Sequence, residues 1–225
     1  LDAQLGARYW QVSPSGDLSF DGDKLDVEDN LDFDREGVPS VYARAGFPLF
    51  SLEARYTPLD YSGTGKNIVT SKQFGDITLD ASEDISTDAT LDILHGGAML
   101  SLPLPGIDLG VGAGVSYIDA EAEIKADGST ETASAEAPLP VAKARVEFAP
   151  PIVGLHFAVA GEGLAYSGNS FYDIRSTVGY TLWDSGVTGF RLEGGYRYIS
   201  VDFDEEDLVL DATFSGPFAG VSLSF

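Results

Sequence analysis

The chain has 225 residues, enough for one large all-β domain, and its 26 glycines, 10 tyrosines and 13 phenylalanines beside a single methionine do not suit a soluble helical protein. Thirteen basic against 36 acidic residues leave a net charge of −23, which excludes a nucleic-acid partner, because phosphates demand a basic surface. The lack of cysteine removes disulfides, thiolate metal sites and cysteine nucleophiles, and the lack of any apolar run of about 18 residues excludes a transmembrane helix while leaving membrane-crossing strands open.

The opening Leu1-Asp2-Ala3-Gln4 has neither a basic n-region nor an apolar h-region, as expected of an exported chain whose signal peptide is already removed. Segments alternating between apolar and polar residues follow at 5–20, 37–47, 50–62, 85–103, 107–123, 133–149, 152–166, 171–183, 188–203 and 208–225. Tight turns are expected at Phe47-Pro48-Leu49, Leu104-Pro105-Gly106, Pro150-Pro151 and Asp184-Ser185-Gly186. Longer, acidic or small-residue loops are expected at Asp21 to Glu36, Gly63 to Asp84, Ala126 to Thr132, Ser167 to Ser170 and Asp204 to Asp207. Short turns thus alternate with longer loops. This layout predicts a single domain over 1–225: an all-β, closed, antiparallel up-and-down transmembrane β-barrel of ten strands, with eight as the alternative count. Its short turns are periplasmic and its acidic loops extracellular.

Within the strands a period of two separates charge from apolar surface. It is clearest over 190–198, where Phe190, Leu192, Gly194, Tyr196 and Tyr198 oppose Arg191, Glu193, Gly195 and Arg197. Lys143, Arg145 and Glu147 alternate with alanine, valine and phenylalanine in the same way. Gly110, Gly112 and Gly114 share the polar face, where they would make room inside a narrow barrel for long side chains from neighbouring strands. That favours charges inside and apolar residues toward lipid, the reverse of a soluble barrel. Tyr9, Tyr56, Tyr61, Tyr117, Tyr180, Tyr196, Tyr198, Phe47, Phe148 and Phe190 are assigned to the apolar face as aromatic girdles.

The expected lumen network is Arg8, Arg44, Glu53, Arg55, Lys143, Arg145, Glu147, Glu162, Asp173, Arg175, Arg191, Glu193 and Arg197. It holds a surplus of three positive charges, so the acidity lies mostly in loops and strand tips. Buried charges must be paired, so a lumen filled by arginine–carboxylate pairs is one reading and a small anion-preferring path is the other. His95 and His156 are the only neutral-pH bases, and neither has a nucleophile near it in sequence, so no enzymatic activity is expected. No cofactor is implied. The acidic run Asp21 to Asp34 departs from EF-hand spacing and reads as a solvated surface, or one sharing divalent cations with lipopolysaccharide.

The last strand alternates Ala219, Val221, Leu223 and Phe225 with Gly220, Ser222 and Ser224 and ends on the aromatic. It resembles the terminal strand of Gram-negative outer-membrane barrels, a resemblance that implies recognition of Val221, Leu223 and Phe225 by the outer-membrane insertion machinery. Gly6-Ala7-Arg8-Tyr9-Trp10, Gly37-Val38-Pro39-Ser40-Val41-Tyr42-Ala43-Arg44 and Glu53-Ala54-Arg55-Tyr56-Thr57 are similar to small barrels of the OmpA and OmpW groups. The likeness implies an outer-membrane monomer surrounded by lipid and lipopolysaccharide. Two roles stay open: an envelope structural or surface-interaction protein with an ion-paired lumen, or a small anion-preferring pore or conduit for small hydrophobic solutes.

Overall fold

A computed structural model of the protein describes residues 2–20, 25–26, 35–65, 72–74, 77–79, 85–126, 129–150, 154–166, 169–204 and 208–225. Ten long strands form the wall. They are β1 (Asp2–Phe20), β2 (Glu36–Gly46), β3 (Phe50–Gly65), β4 (Ile85–Leu104), β5 (Ile107–Ala126), β6 (Ser129–Phe148), β7 (Leu155–Tyr166), β8 (Asn169–Asp184), β9 (Gly189–Asp204) and β10 (Leu208–Ser224). Each pairs antiparallel with its neighbour in sequence, and β10 returns to β1 in the register Gln4↔Ser224 to Trp10↔Phe218, resuming at Ser13↔Ser215. The interruption falls at Pro217, which has no N–H to donate to the ladder. Phe225 and Ala3 exchange backbone bonds of 2.8 and 3.0 Å, so the two chain ends close the cylinder together. The count is ten, not eight.

At the short-turn end the sequence supplies the backbone angles the corners need. Pro105 fixes its own φ and Gly106 adopts φ 76°, the positive value a tight Pro-Gly corner requires between β4 and β5. The other end departs from expectation. Strands β5 and β6 pair out to Ala126↔Ser129, and β7 and β8 out to Tyr166↔Asn169, so residues 129–132 and 169–170 are strand rather than loop. Lys72–Phe74 and Ile77–Leu79 form a small hairpin, and Leu25–Asp26 pairs with β1. Apart from those two residues, the acidic run Asp21 to Asp34 lies outside the described residues.

The wall is not equally closed at all heights. Pairing between β2 and β3 runs only from Gly46↔Ser51 to Val41↔Tyr56, and pairing between β6 and β7 only from Phe157↔Phe148 to Gly163↔Ala142. Above these levels two seams divide the wall into a four-stranded half, β3 to β6, and a six-stranded half, β7 to β2. Pro39 and Pro58 stand just above one seam's last pair, and Pro138 and Pro140 above the other's. Proline suits an edge, because it withholds a donor and discourages pairing with a foreign strand.

Exposure along the strands explains why the halves stay together. In the turn-side part of β9, Leu192, Tyr196 and Tyr198 are exposed while Glu193 and Arg197 are buried. Beyond Tyr198 the pattern inverts, with Ile199 and Val201 buried and Asp202 outside. Strand β4 switches at the same level: Leu94 and Leu100 face outward below, Asp88 and Thr90 above, while Leu91 and Ile93 turn inward. Strand β5 switches between Tyr117 and Asp119. From Ile107 to Tyr117 the outer face of β5 is apolar, roughly the 9–11 residues a tilted strand needs to cross a bilayer. The lower barrel therefore follows membrane rules, and the upper part follows those of a water-soluble β-sandwich.

This inversion corrects one aromatic assignment. Tyr56 is exterior and Tyr61, five residues on, has opposite parity and is buried inside, where its ring stacks on Phe214 of the opposite half at 6.1 Å. Tyr9, Tyr117, Tyr180, Tyr196 and Tyr198 are exterior. The Tyr56 hydroxyl donates to Asp92 at 3.0 Å and the Tyr117 hydroxyl to Glu136 at 2.6 Å, tying the upper girdle to the acidic collar above it.

Candidate functional site: the barrel interior

Three tiers fill the lumen. The lowest, next to the short turns, holds Gln4, Arg8, Tyr42, Arg44, Arg145, Glu147, His156, Arg191 and Glu193 around a cavity of about 100 Å³. Arg8 grips Glu193 with both Nε and Nη2, at 2.9 and 2.8 Å, and its guanidinium lies 4.3 Å from the centre of the Tyr42 ring. The Tyr42 hydroxyl donates to the other Glu193 oxygen at 2.6 Å. Arg44 reaches Glu147 at 3.3 Å, and Arg145 reaches Asp108 at 3.2 Å. Asp108 was absent from the sequence-derived network, although it shares parity with Gly110, Gly112 and Gly114 and could have been added on that ground.

The middle tier is largely desolvated. Asp173 accepts from Arg197 at 2.8 and 3.2 Å, from Arg55 at 2.9 Å and from Arg175 at 3.5 Å. Arg55 also pairs with Glu162, and Lys143 with Glu53 and, at 3.2 Å, with Glu162. Such a lattice is tolerated because each charge meets an opposite one. The glycines opposite it matter sterically: a Cβ on Gly112 would lie 2.1 Å from the Ala98 carbonyl oxygen, and one on Gly97 would lie 3.0 Å from the Lys143 side chain. Of the charged residues expected in the lumen, Arg8, Arg44, Glu53, Arg55, Arg145, Glu147, Arg175, Arg191 and Glu193 line the cavity and Lys143, Glu162, Asp173 and Arg197 lie in the ion-pair lattice beside it.

Two arrangements in this tier look chemically competent. Ser116 Oγ lies 2.9 Å from His95 Nδ1, and His95 Nε2 lies 3.2 Å from Glu162, the order of a serine–histidine–carboxylate relay. Yet Ser116 and His95 are completely buried, so no substrate carbonyl can approach the hydroxyl. Glu53, His95 and Glu162 also converge closely enough to ligate a metal. The Lys143 ammonium, bonded to Glu53 and 3.2 Å from Glu162, stands where the cation would sit. Replacing it should reveal the latent ligand set: Zn²⁺ is expected to raise the denaturation midpoint of Lys143→Ala and to leave the parent protein unchanged, as read by unfolding with and without the metal. His156, lower down, lies 3.0 Å from Thr181 Oγ1.

The uppermost tier is apolar, which the strand alternation did not suggest. Trp10, Val12, Val38, Phe171, Ile199, Val201, Phe214 and Phe218 of the six-stranded half pack against Leu59, Tyr61, Leu91, Ile93, Ile118 and Val141 of the other. The two upper tiers are joined at Trp10, whose ring centre lies 4.8 Å from the Arg197 guanidinium and whose indole N–H donates to the Gly216 carbonyl at 3.1 Å. On the outside, Val221, Leu223 and Phe225 are exposed on the lipid-facing wall.

No protein-family model and no curated protein matches the sequence. Among solved structures, the chain is similar to the outer membrane protease OmpT from Escherichia coli, at 9% identity over 100% of this chain and 97% of that one, with a TM-score of 0.65. It is also similar to Ail, the attachment invasion locus protein of Yersinia pestis, at 12% identity over 100% and 98% of the two chains (TM-score 0.44). Neisserial surface protein A gives 14% identity over 99% and 97% (TM-score 0.38). The fold is that of a Gram-negative outer-membrane β-barrel.

Proposed function

We propose that the protein is a non-enzymatic, closed barrel of the Gram-negative outer membrane, with an envelope structural or surface-interaction role. The observation that carries this reading is the apolar tier above the ion-paired lattice, because together they fill the barrel axis among the described residues. The extramembrane sandwich, apolar within and acidic without at Asp60, Asp88, Asp119 and Asp202, presents a stiff, negatively charged outer surface. Lipid and lipopolysaccharide surround the girdles, and the exposed Val221, Leu223 and Phe225 are placed for reading by the insertion machinery. The burial of His95 and Ser116 supports a non-enzymatic role, since no substrate carbonyl reaches that pair.

An anion-preferring pore is the second reading, favoured by the surplus of arginines in the lowest tier. Planar-bilayer recording separates the two. The purified protein is expected to give no discrete openings at any salt concentration, while salt-dependent unitary steps would replace the closed barrel with the pore. On a gel, the folded chain should migrate differently before and after boiling.

A further inference from the structure

We propose that the lowest tier is a blind vestibule that binds a small, multiply charged oxyanion of about the size of inorganic phosphate, admitted from the short-turn end. The inference goes beyond the closed-barrel reading and is tested in micelles, independently of conductance.

Charge comes first. Six arginines line the cavity: Arg8, Arg44, Arg55, Arg145, Arg175 and Arg191. Only three carboxylates, Glu53, Glu147 and Glu193, line it with them. The unequal count is not corrected from behind the wall everywhere. Arg8 is saturated by Glu193, and Arg55 and Arg175 lean on Asp173 in the tier above. Arg191, by contrast, makes no ion pair among the described residues, and its Nε has no hydrogen-bond partner in the protein. The Nε atoms of Arg44, Arg55 and Arg145 are likewise buried and unpartnered. A buried donor without an acceptor is costly, so four of them around one cavity constitute a demand for an acceptor. Guanidinium groups meet tetrahedral oxyanions through paired N–H donors, and a cavity walled by arginines in a medium of low dielectric selects an anion over a neutral molecule.

Space and access agree with this. One water needs roughly 10–15 Å³ of such volume, so about 100 Å³ accommodates a phosphate-sized ion with some hydration. A second pocket, lined by Thr181, Asp184, Gly189 and Ser224 near the short turns, shares Gln4, His156 and Arg191 with the cavity and lies between it and that end. In the opposite direction the Asp173 lattice and the apolar tier close the way. The Gly179 position matters here, because a Cβ would lie 2.8 Å from the Arg191 side chain.

The chain has no cysteine, so single thiols report on the site without background. Ala158→Cys places a thiol in the cavity wall, and Ser62→Cys places one on the outer face of the extramembrane part. Relative to the Ser62→Cys thiol, the Ala158→Cys thiol should favour the anionic sulfonatoethyl over the cationic trimethylammonioethyl methanethiosulfonate by at least about tenfold, the low end of electrostatic focusing. Millimolar inorganic phosphate should slow the anionic reagent, and chloride at equal ionic strength should not. Adding Arg191→Gln should remove most of both effects, and it orphans no carboxylate, so the barrel should still fold and keep its heat-modifiable migration. Arg35→Gln, which among the described residues loses a bond to Ser13 at the far end, should change neither. Equal reagent ratios at the two thiols, indifference to phosphate, or indifference to Arg191→Gln in a folded barrel would each overturn the vestibule.

Discussion

Asp173→Asn is expected to cost about 3–5 kcal/mol of stability, the usual consequence of removing one partner from a buried charge network. The substitution keeps the side chain's size but removes its charge and replaces one acceptor oxygen by an NH2 donor, so packing is nearly constant and the loss reports electrostatics and hydrogen bonding. Asp173 is completely buried, and three guanidinium groups converge on it from β3, β8 and β9. They do not depend on it equally. Arg55 retains Glu162, whereas Arg197 keeps only the Thr57 hydroxyl at 2.9 Å and the Trp10 ring. Arg175 has no other ion pair among the described residues, so the penalty falls on Arg197 and Arg175, and Arg197→Met in the Asp173→Asn background should recover part of it. Urea titration of the barrel in lipid vesicles, followed by the heat-modifiable band, measures both variants, and a double-mutant coupling near zero would show that the two groups act independently. Lys125→Ala is the control, since that ammonium pairs with Asp88 and Glu123 on exposed strand tips, where ion pairs contribute little.

Much of this architecture was legible in the chain because a membrane barrel writes itself as alternation. Strand number, the turns with Gly106 and Gly186, and the parity of the arginines all follow from a period of two and from residues with special backbone angles. What alternation does not report is height. The face that carries Arg191, Glu193 and Arg197 continues without a change of phase into Ile199 and Val201. A reader who follows parity alone assigns apolar residues to lipid all the way up and places Tyr61 outside. The signal was present in the partner parity, where Tyr198 gives way to Ser200 and Asp202, and Leu94 is preceded by Asp92 and Thr90. Once acidic residues occupy the outward positions, the apolar ones opposite them have to face inward, and the wall at that level stands in water. The Asp173 focus was less accessible still, because it joins strands far apart in sequence, and no local pattern encodes which arginine meets which carboxylate.

That inversion yields the second large effect. Phe171→Ala should destabilise the barrel by about 3–5 kcal/mol, as expected for emptying a well-packed aromatic site, whereas its neighbour Tyr172→Ala should cost under about 1 kcal/mol, the range of exposed positions. Phe171 is 1% exposed within the apolar tier and Tyr172 is 42% exposed on the outer face. A barrel that obeyed membrane rules along its whole height would need Tyr172 as an anchor and would have water or charge at Phe171, so the order of the two losses would reverse. Equilibrium unfolding in vesicles ranks them directly. A second consequence concerns the two seams. With no ladder between β2 and β3 above Val41↔Tyr56, or between β6 and β7 above Gly163↔Ala142, the upper halves are held across the axis mainly by apolar contact. Emptying the Phe171 site should therefore loosen the extramembrane sandwich before the membrane-embedded wall. Amide exchange in the Phe171→Ala variant should accelerate first in the upper parts of β3 and β6, while the pairs from Gly189↔Ser224 to Arg191↔Ser222 near the short turns stay protected.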